Sequence, residues 1–224
     1  MLHRRIAAFV FAATIAVPIA RATAPAEATA GAGSPRIVCL GDSLTEGYSL
    51  SPEQAWPALL EQSLRKRGWP DVQVINAGVS GSTSASAVSR LTWQLRTKPD
   101  VLVLALGAND GLRGIDPAET KKNLGAAIDL AKSNGITVLL AGMKMPPNYG
   151  NAFTASYEAT FQSLASEKNV KLLPFLLEGV AGDAALNLSD GLHPNAAGYV
   201  IVAKLVEQHL VPVLESLKPA DAGK

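Results

Sequence analysis

Residues 101–106, VLVLAL, are six apolar positions in a row, closed by Gly107. A run of that length without alternation suits a strand covered on both faces, as at the centre of a parallel sheet. Further β-rich runs lie at 36–40 (ended by Gly41), 72–75, 136–141 and 170–173. Segments with helical spacing separate them. Residues 52–67 carry Trp56, Leu59, Leu60 and Leu64 on a stripe that stops at Gly68. Residues 84–96, 116–133 (closed by Asn134-Gly135), 152–167 and 196–217 follow, with a bend expected at Pro212. Alternating strands and helices imply right-handed crossovers and a parallel sheet between two helical layers. The expected fold is a three-layer α/β/α sandwich with a five-stranded parallel sheet. The order 2-1-3-4-5 suits it, although the sequence does not fix the order.

Sites in such sheets form at the carboxyl ends of the strands. That rule points to the segments after Leu40, Ile75 and Leu106, and to loops nearer the C-terminus. These are Gly41-Asp42-Ser43-Leu44-Thr45, Asn76-Ala77-Gly78-Val79-Ser80-Gly81, Gly107-Ala108-Asn109-Asp110 and Asp190-Gly191-Leu192-His193-Pro194. Of the three histidines, His3 belongs to the N-terminal segment 1–22, and His209 reads as a solvated residue on the polar side of the last helix. His193 sits in a loop, three residues after a carboxylate and just before a proline. A turn of that length brings Asp190 to the imidazole, where it fixes the tautomer and stabilises the imidazolium. A serine hydroxyl needs such a base to take its proton, and Ser43 stands at a strand-to-helix turn within reach of one. Acyl transfer also needs donors aimed at the developing oxyanion. The Ser43 N–H, a glycine N–H from the second loop and the Asn109 amide are the candidates.

Four motifs, Gly-Asp-Ser-Leu at 41–44, Ser-Gly at 80–81, Gly-Ala-Asn-Asp at 107–110 and Asp-Gly-Leu-His-Pro at 190–194, resemble the SGNH, or GDSL-type, hydrolase family. The resemblance runs over about residues 35–217. Further stretches at 55–60 (AWPALL), 109–114 (NDGLRG) and 147–150 (PNYG) are similar to its multifunctional thioesterase I, lysophospholipase L1 or arylesterase branch. It implies a flavodoxin-like fold, with Ser43 as nucleophile and Asp190 and His193 as the other triad members. It also implies Gly81 and Asn109 as oxyanion donors beside the Ser43 N–H, with Gly78 as the rival glycine. No cofactor is implied. The implied substrates are small-molecule aryl esters, short-to-medium acyl esters, acyl thioesters and lysophospholipids; a carbohydrate O-acetyl esterase is the alternative. Leu112, Ile115, Met145, Pro146 and Tyr149 are expected to line an acyl groove. Ala108 and Ser82 depart from the branch, where a glycine is usual and an acidic residue common, and bear on substrate preference more than chemistry.

The other features read as structural. Lys plus Arg (20) nearly balances Asp plus Glu (19), so no bulk field favours nucleic acid or an anionic membrane. Cys39, the lone cysteine, lies in an apolar run and reads as a buried thiol. Asp42 and Asp110 read as turn-ordering carboxylates rather than metal ligands. A zinc site is not expected, since the chain lacks a His-Glu-x-x-His motif and has one cysteine. His3-Arg4-Arg5, the apolar stretch 6–20 and Ala20-Arg21-Ala22 have the form of an export signal over residues 1–22. The stretch is shorter than the roughly 20 residues a membrane span needs. A flexible leader is expected at 23–35, the hydrolase domain at 36–217 and a tail at 218–224. The protein is thus expected in the periplasm or outside the cell, with no stable membrane insertion after cleavage.

Overall fold

A computed structural model describes residues 34–217; the expected signal, most of the leader and the tail lie outside the described residues. Five strands form one parallel sheet: β1 (Arg36–Gly41), β2 (Gln73–Gly78), β3 (Val101–Ala105), β4 (Thr137–Ala141) and β5 (Lys171–Leu173). Their order is β2-β1-β3-β4-β5, the doubly wound arrangement expected. All five residues of β3 are buried, which accounts for its unbroken apolar run. The edge strand β2 is only partly buried and runs past the apolar stretch 72–75. Asn76, Ala77 and Gly78 pair with Cys39, Leu40 and Gly41. The ladder bonds backbone groups, so a polar segment can prolong an edge strand where hydropathy stops.

The helices are α1 (Ser43–Glu46), α2 (Trp56–Lys66), α3 (Ala87–Gln94), α4 (Ala108–Leu112), α5 (Pro117–Ser133), α6 (Asn151–Lys168) and α7 (Ala196–Ser216). Helices α2 and α7 pack together, and α5 packs with α3 and α6. The short helices α1 and α4 stand in segments the sequence presents as loops. At four and five residues they are too short to show a periodic stripe. The segment 84–96 also divides, into a 3₁₀ turn, α3 and a second 3₁₀ turn that stops at Lys98 with φ 51°. Helix α7 continues through Pro212 to Ser216. It is long and apolar enough to cross a membrane, but Tyr199, Val202, Val206 and Leu210 on it are fully buried in the core. Cys39 is fully buried as well, and that burial pushes its thiol pKa up beyond the ordinary range.

What positions the site is the level ending of three strands. Gly41 pairs with Gly78 on one side and Ala105 on the other, so the loops leaving β1, β2 and β3 start side by side. Gly78 is needed for this arrangement. A Cβ there would lie 2.2 Å from the Glu46 nitrogen, so only glycine lets the α1 backbone cross β2 this closely.

Candidate active site

Ser43 opens α1 at the carboxyl end of β1. The preceding Asp42 caps this helix, its Oδ1 accepting the Leu44 N–H at 3.0 Å. Gly47 closes it in the left-handed region, φ 91°. From the other end of the chain comes His193, whose Nε2 lies 2.9 Å from the Ser43 Oγ. Its Nδ1 lies 2.7 Å from Asp190 Oδ2. Asp190 Oδ1 accepts the N–H groups of Leu192 (2.9 Å) and His193 (3.0 Å). These backbone donors, that of His193 foremost, hold the Asp190 carboxyl well below the usual carboxylate range, at about 2. Asp190 is therefore an anion facing Nδ1, so Nδ1 carries the proton and Nε2 is left to accept one from Ser43.

The loop carrying Asp190 and His193 is pinned at both ends. The His193 carbonyl accepts the Leu188 N–H at 2.7 Å, and Asn187 bridges to Pro194. Asn187 is buried, and its amide donates to Val180 and Asp183 carbonyls. Asn195 caps α7 by accepting the Ala197 and Gly198 N–H groups. His209, also on α7, bonds the Leu205 carbonyl through Nδ1 and takes no part in the site.

Around the Ser43 hydroxyl, the Ser43 and Gly81 N–H groups have no acceptor among the described residues. The Gly78 N–H is already given to Asn76 Oδ1 at 2.9 Å, which leaves Gly81 as the available glycine donor. The Asn109 amide donates one N–H to the Ser82 carbonyl at 3.1 Å, and its second N–H has no acceptor among the described residues. All three residues line one cavity with His193. The loop that offers Gly81 is tied on several sides. Glu46 accepts from the Ser80 N–H (2.7 Å) and hydroxyl, Arg113 donates to the Gly81 carbonyl (2.9 Å), and buried Asp110 accepts from Ser84 and Thr120. Asp110 thus orders the turn.

Asp42 is buried beside this set, 1% exposed, and its Oδ2 has no partner among the described residues. Burial raises its pKa to about 6, against the opposing pull of its backbone donors, His193 and Arg90. The Arg90 guanidinium donates to the Ala77 carbonyl and is itself shifted down by burial. No group of three or more His, Cys, Asp or Glu side chains among the described residues is arranged to hold a metal.

The cavity measures about 780 Å³, within the range of small-molecule sites. Of the groove residues expected from sequence, Leu112, Met145 and Pro146 line it. Ile115 and Tyr149 do not, which corrects the expectation. The Tyr149 hydroxyl is given to the Leu112 carbonyl at 3.2 Å and its ring stacks on Phe153, so it braces Leu112. Ile115 lies beyond the end of α4, its N–H closing a turn onto the Asp110 carbonyl. Sequence reasoning missed Tyr48, Leu192, Met143, Phe175 and Leu177, all in the wall. Met143 and Phe175 follow β4 and β5 closely, so the carboxyl-end rule applied to every strand would have found them.

Residues 39–201 match the model of the GDSL-like lipase/acylhydrolase family. The chain is 38% identical to an arylesterase of Vibrio mimicus, over 81% of this chain and 91% of that protein. It is 34% identical to thioesterase 1/protease 1/lysophospholipase L1 of Escherichia coli K12, over 82% and 86% respectively. The crystal structure of TesA superposes with a TM-score of 0.77 at 37% identity, covering 80% of this chain and 99% of that one. The chain belongs to the GDSL-like lipase/acylhydrolase family.

Proposed function

We propose that this protein hydrolyses carboxylic esters and thioesters through an acyl-enzyme on Ser43. The observation that carries the reading is the unbroken relay from Ser43 Oγ through His193 to the Asp190 anion, opening into an apolar cavity beside unpaired N–H donors. His193 Nε2 takes the Ser43 proton as Oγ attacks the acyl carbon. The oxyanion rests on the Ser43 and Gly81 N–H groups and the Asn109 amide. Nε2 then returns the proton to the departing alcohol or thiol. A water, deprotonated by the same nitrogen, attacks the acyl-Ser43 ester, releasing the carboxylic acid and free Ser43.

The wall favours an acyl or aryl group over a sugar, since Leu112, Met143, Met145, Pro146, Phe175 and Leu177 offer little to hydroxyls. The similarity to an arylesterase and to a thioesterase/lysophospholipase supports the same substrate range. The test is a panel of p-nitrophenyl esters of increasing acyl length, an acyl thioester and an acetylated glycan, with wild type and Ser43→Ala. A serine-directed phosphonate should add once, at Ser43, and Ser43→Ala should lose both labelling and turnover. Mapping of the adduct to Ser80, Ser82 or Ser84, or turnover of the glycan alone, overturns the reading.

Export is part of the proposal. Protein recovered outside the inner membrane should begin near Thr23, and membrane-bound material with Met1 intact would refute cleavage.

A further inference from the structure

We propose that Tyr48 is a positioning residue for the catalytic base, its ring packed against the His193 imidazole and stabilising the imidazolium formed in each half-reaction. The inference rests on the proposed roles of Ser43 and His193. The ring centroids are 4.4 Å apart and the planes are tilted by 32°. A cation over an aromatic face at that separation is attracted by the ring quadrupole. His193 is thereby held by Asp190 at Nδ1, by Ser43 at Nε2 and by Tyr48 on one face.

The backbone that delivers the ring also delivers the nucleophile. The Ser43 carbonyl accepts the N–H groups of Gly47 and Tyr48, each at 3.2 Å. Gly47 turns the chain in the left-handed region and packs so closely on Ala55 that an added Cβ would lie 2.6 Å from the Ala55 Cβ. Ser49, φ 61°, prolongs the reversal. One short turn therefore fixes the hydroxyl and the ring relative to each other, and the imidazole enters between them. Tyr48 remains 44% exposed.

Other charged and titratable groups near the imidazole are Asp190 on its own loop, Asp42 before α1, and Arg90 on α3, which faces Asp42. Glu46 is tied to Ser80, Tyr199 on α7 donates to the Ser43 carbonyl (3.4 Å), and Lys144 pairs with Glu158. None of these groups is bonded to the Tyr48 side chain.

The experiment measures kcat and KM for a p-nitrophenyl ester from about pH 5 to about pH 9 on wild type, Tyr48→Phe, Tyr48→Leu and Tyr48→Met, with thermal unfolding of each. Loss of the ring in Leu or Met should lower kcat about two- to fivefold. KM should stay within about twofold, and the acid limb of kcat/KM should move to lower pH by about half a unit. The direction follows from a less stabilised imidazolium, which gains its proton only at lower pH. Tyr48→Phe should restore kcat and the limb. Met keeps the bulk and serves should Leu fail to fold. A rise in KM alone, with kcat and the acid limb unmoved, would make Tyr48 only a wall of the cavity and overturn the proposal. Equal impairment in Phe and Leu would assign the effect to the hydroxyl and also overturn it. Turnover surviving in Ser43→Ala is a different result and fails the proposed function itself.

Discussion

Both oxygens of Asp190 are committed to His193: Oδ2 faces the ring Nδ1 at 2.7 Å, and Oδ1 accepts the His193 backbone N–H at 3.0 Å. One carboxylate thus sets both the tautomer of the base and the conformation of the loop that carries it. An asparagine keeps an acceptor for the backbone but presents an N–H to Nδ1, reversing the tautomer. Asp190→Asn should lower kcat about 10⁴-fold in a protein that still folds cooperatively. Steady-state kinetics and calorimetry on one preparation check it. The Asp190 pKa is depressed, so its contribution to stability is present above about pH 4 and lost as pH falls towards 2. The difference in unfolding free energy between wild type and Asp190→Ala should shrink over that window.

Asn109 gives one N–H to the Ser82 carbonyl, which fixes the amide and leaves its second N–H available for the oxyanion of the proposed mechanism. Asn109→Ala should reduce kcat about 10²–10³-fold with little change in KM. The orphaned Ser82 carbonyl should also cost about 1 kcal/mol of stability. Near-wild-type kcat in a folded variant would remove Asn109 from the mechanism.

Asp42 makes the native state take up a proton. Burial raises its pKa to about 6, so between about pH 4 and 6 the folded protein binds a proton that the unfolded chain releases. Stability should therefore fall as pH rises through that window, by roughly 2–3 kcal/mol, and level off above it. Asp42→Asn keeps an acceptor for the Leu44 N–H and should remove this part of the slope. Urea unfolding at several pH values measures the difference.

Gly78 and Gly81 should separate under substitution. An alanine Cβ at Gly78 meets the Glu46 backbone at 2.2 Å, and Gly78→Ala should cost about 3 kcal/mol or more as the backbones move apart. At Gly81, φ 76°, an added Cβ meets only the tip of Arg113 at 3.7 Å. Gly81→Ala should cost about 1–2 kcal/mol, the price of a left-handed non-glycine residue, with a clear loss of kcat. Thermal unfolding and kinetics on the pair give the comparison.

The sequence by itself determined the layers and the candidate residues of the site. Five apolar runs between amphipathic segments admit few arrangements other than a parallel sheet under helices, because both faces of β3 must be covered. The candidate set Ser43, His193 and Asp190 was legible because the chain has few histidines, and among the described residues His193 is the one that lies in a loop, three positions after a carboxylate. Tertiary structure decided what depends on side-chain direction and on backbone bonds without an apolar signature. It prolonged β2 through Asn76 to Gly78, made α1 and α4 from apparent loops, and committed the Gly78 N–H so that Gly81 was left free. It also took Tyr149 out of the groove and put Tyr48 over His193. A linear pattern records which residues are apolar or reactive. Which of them meet across 150 positions, as Ser43 and His193 do, is set by the register of the strands and the few turns that end them.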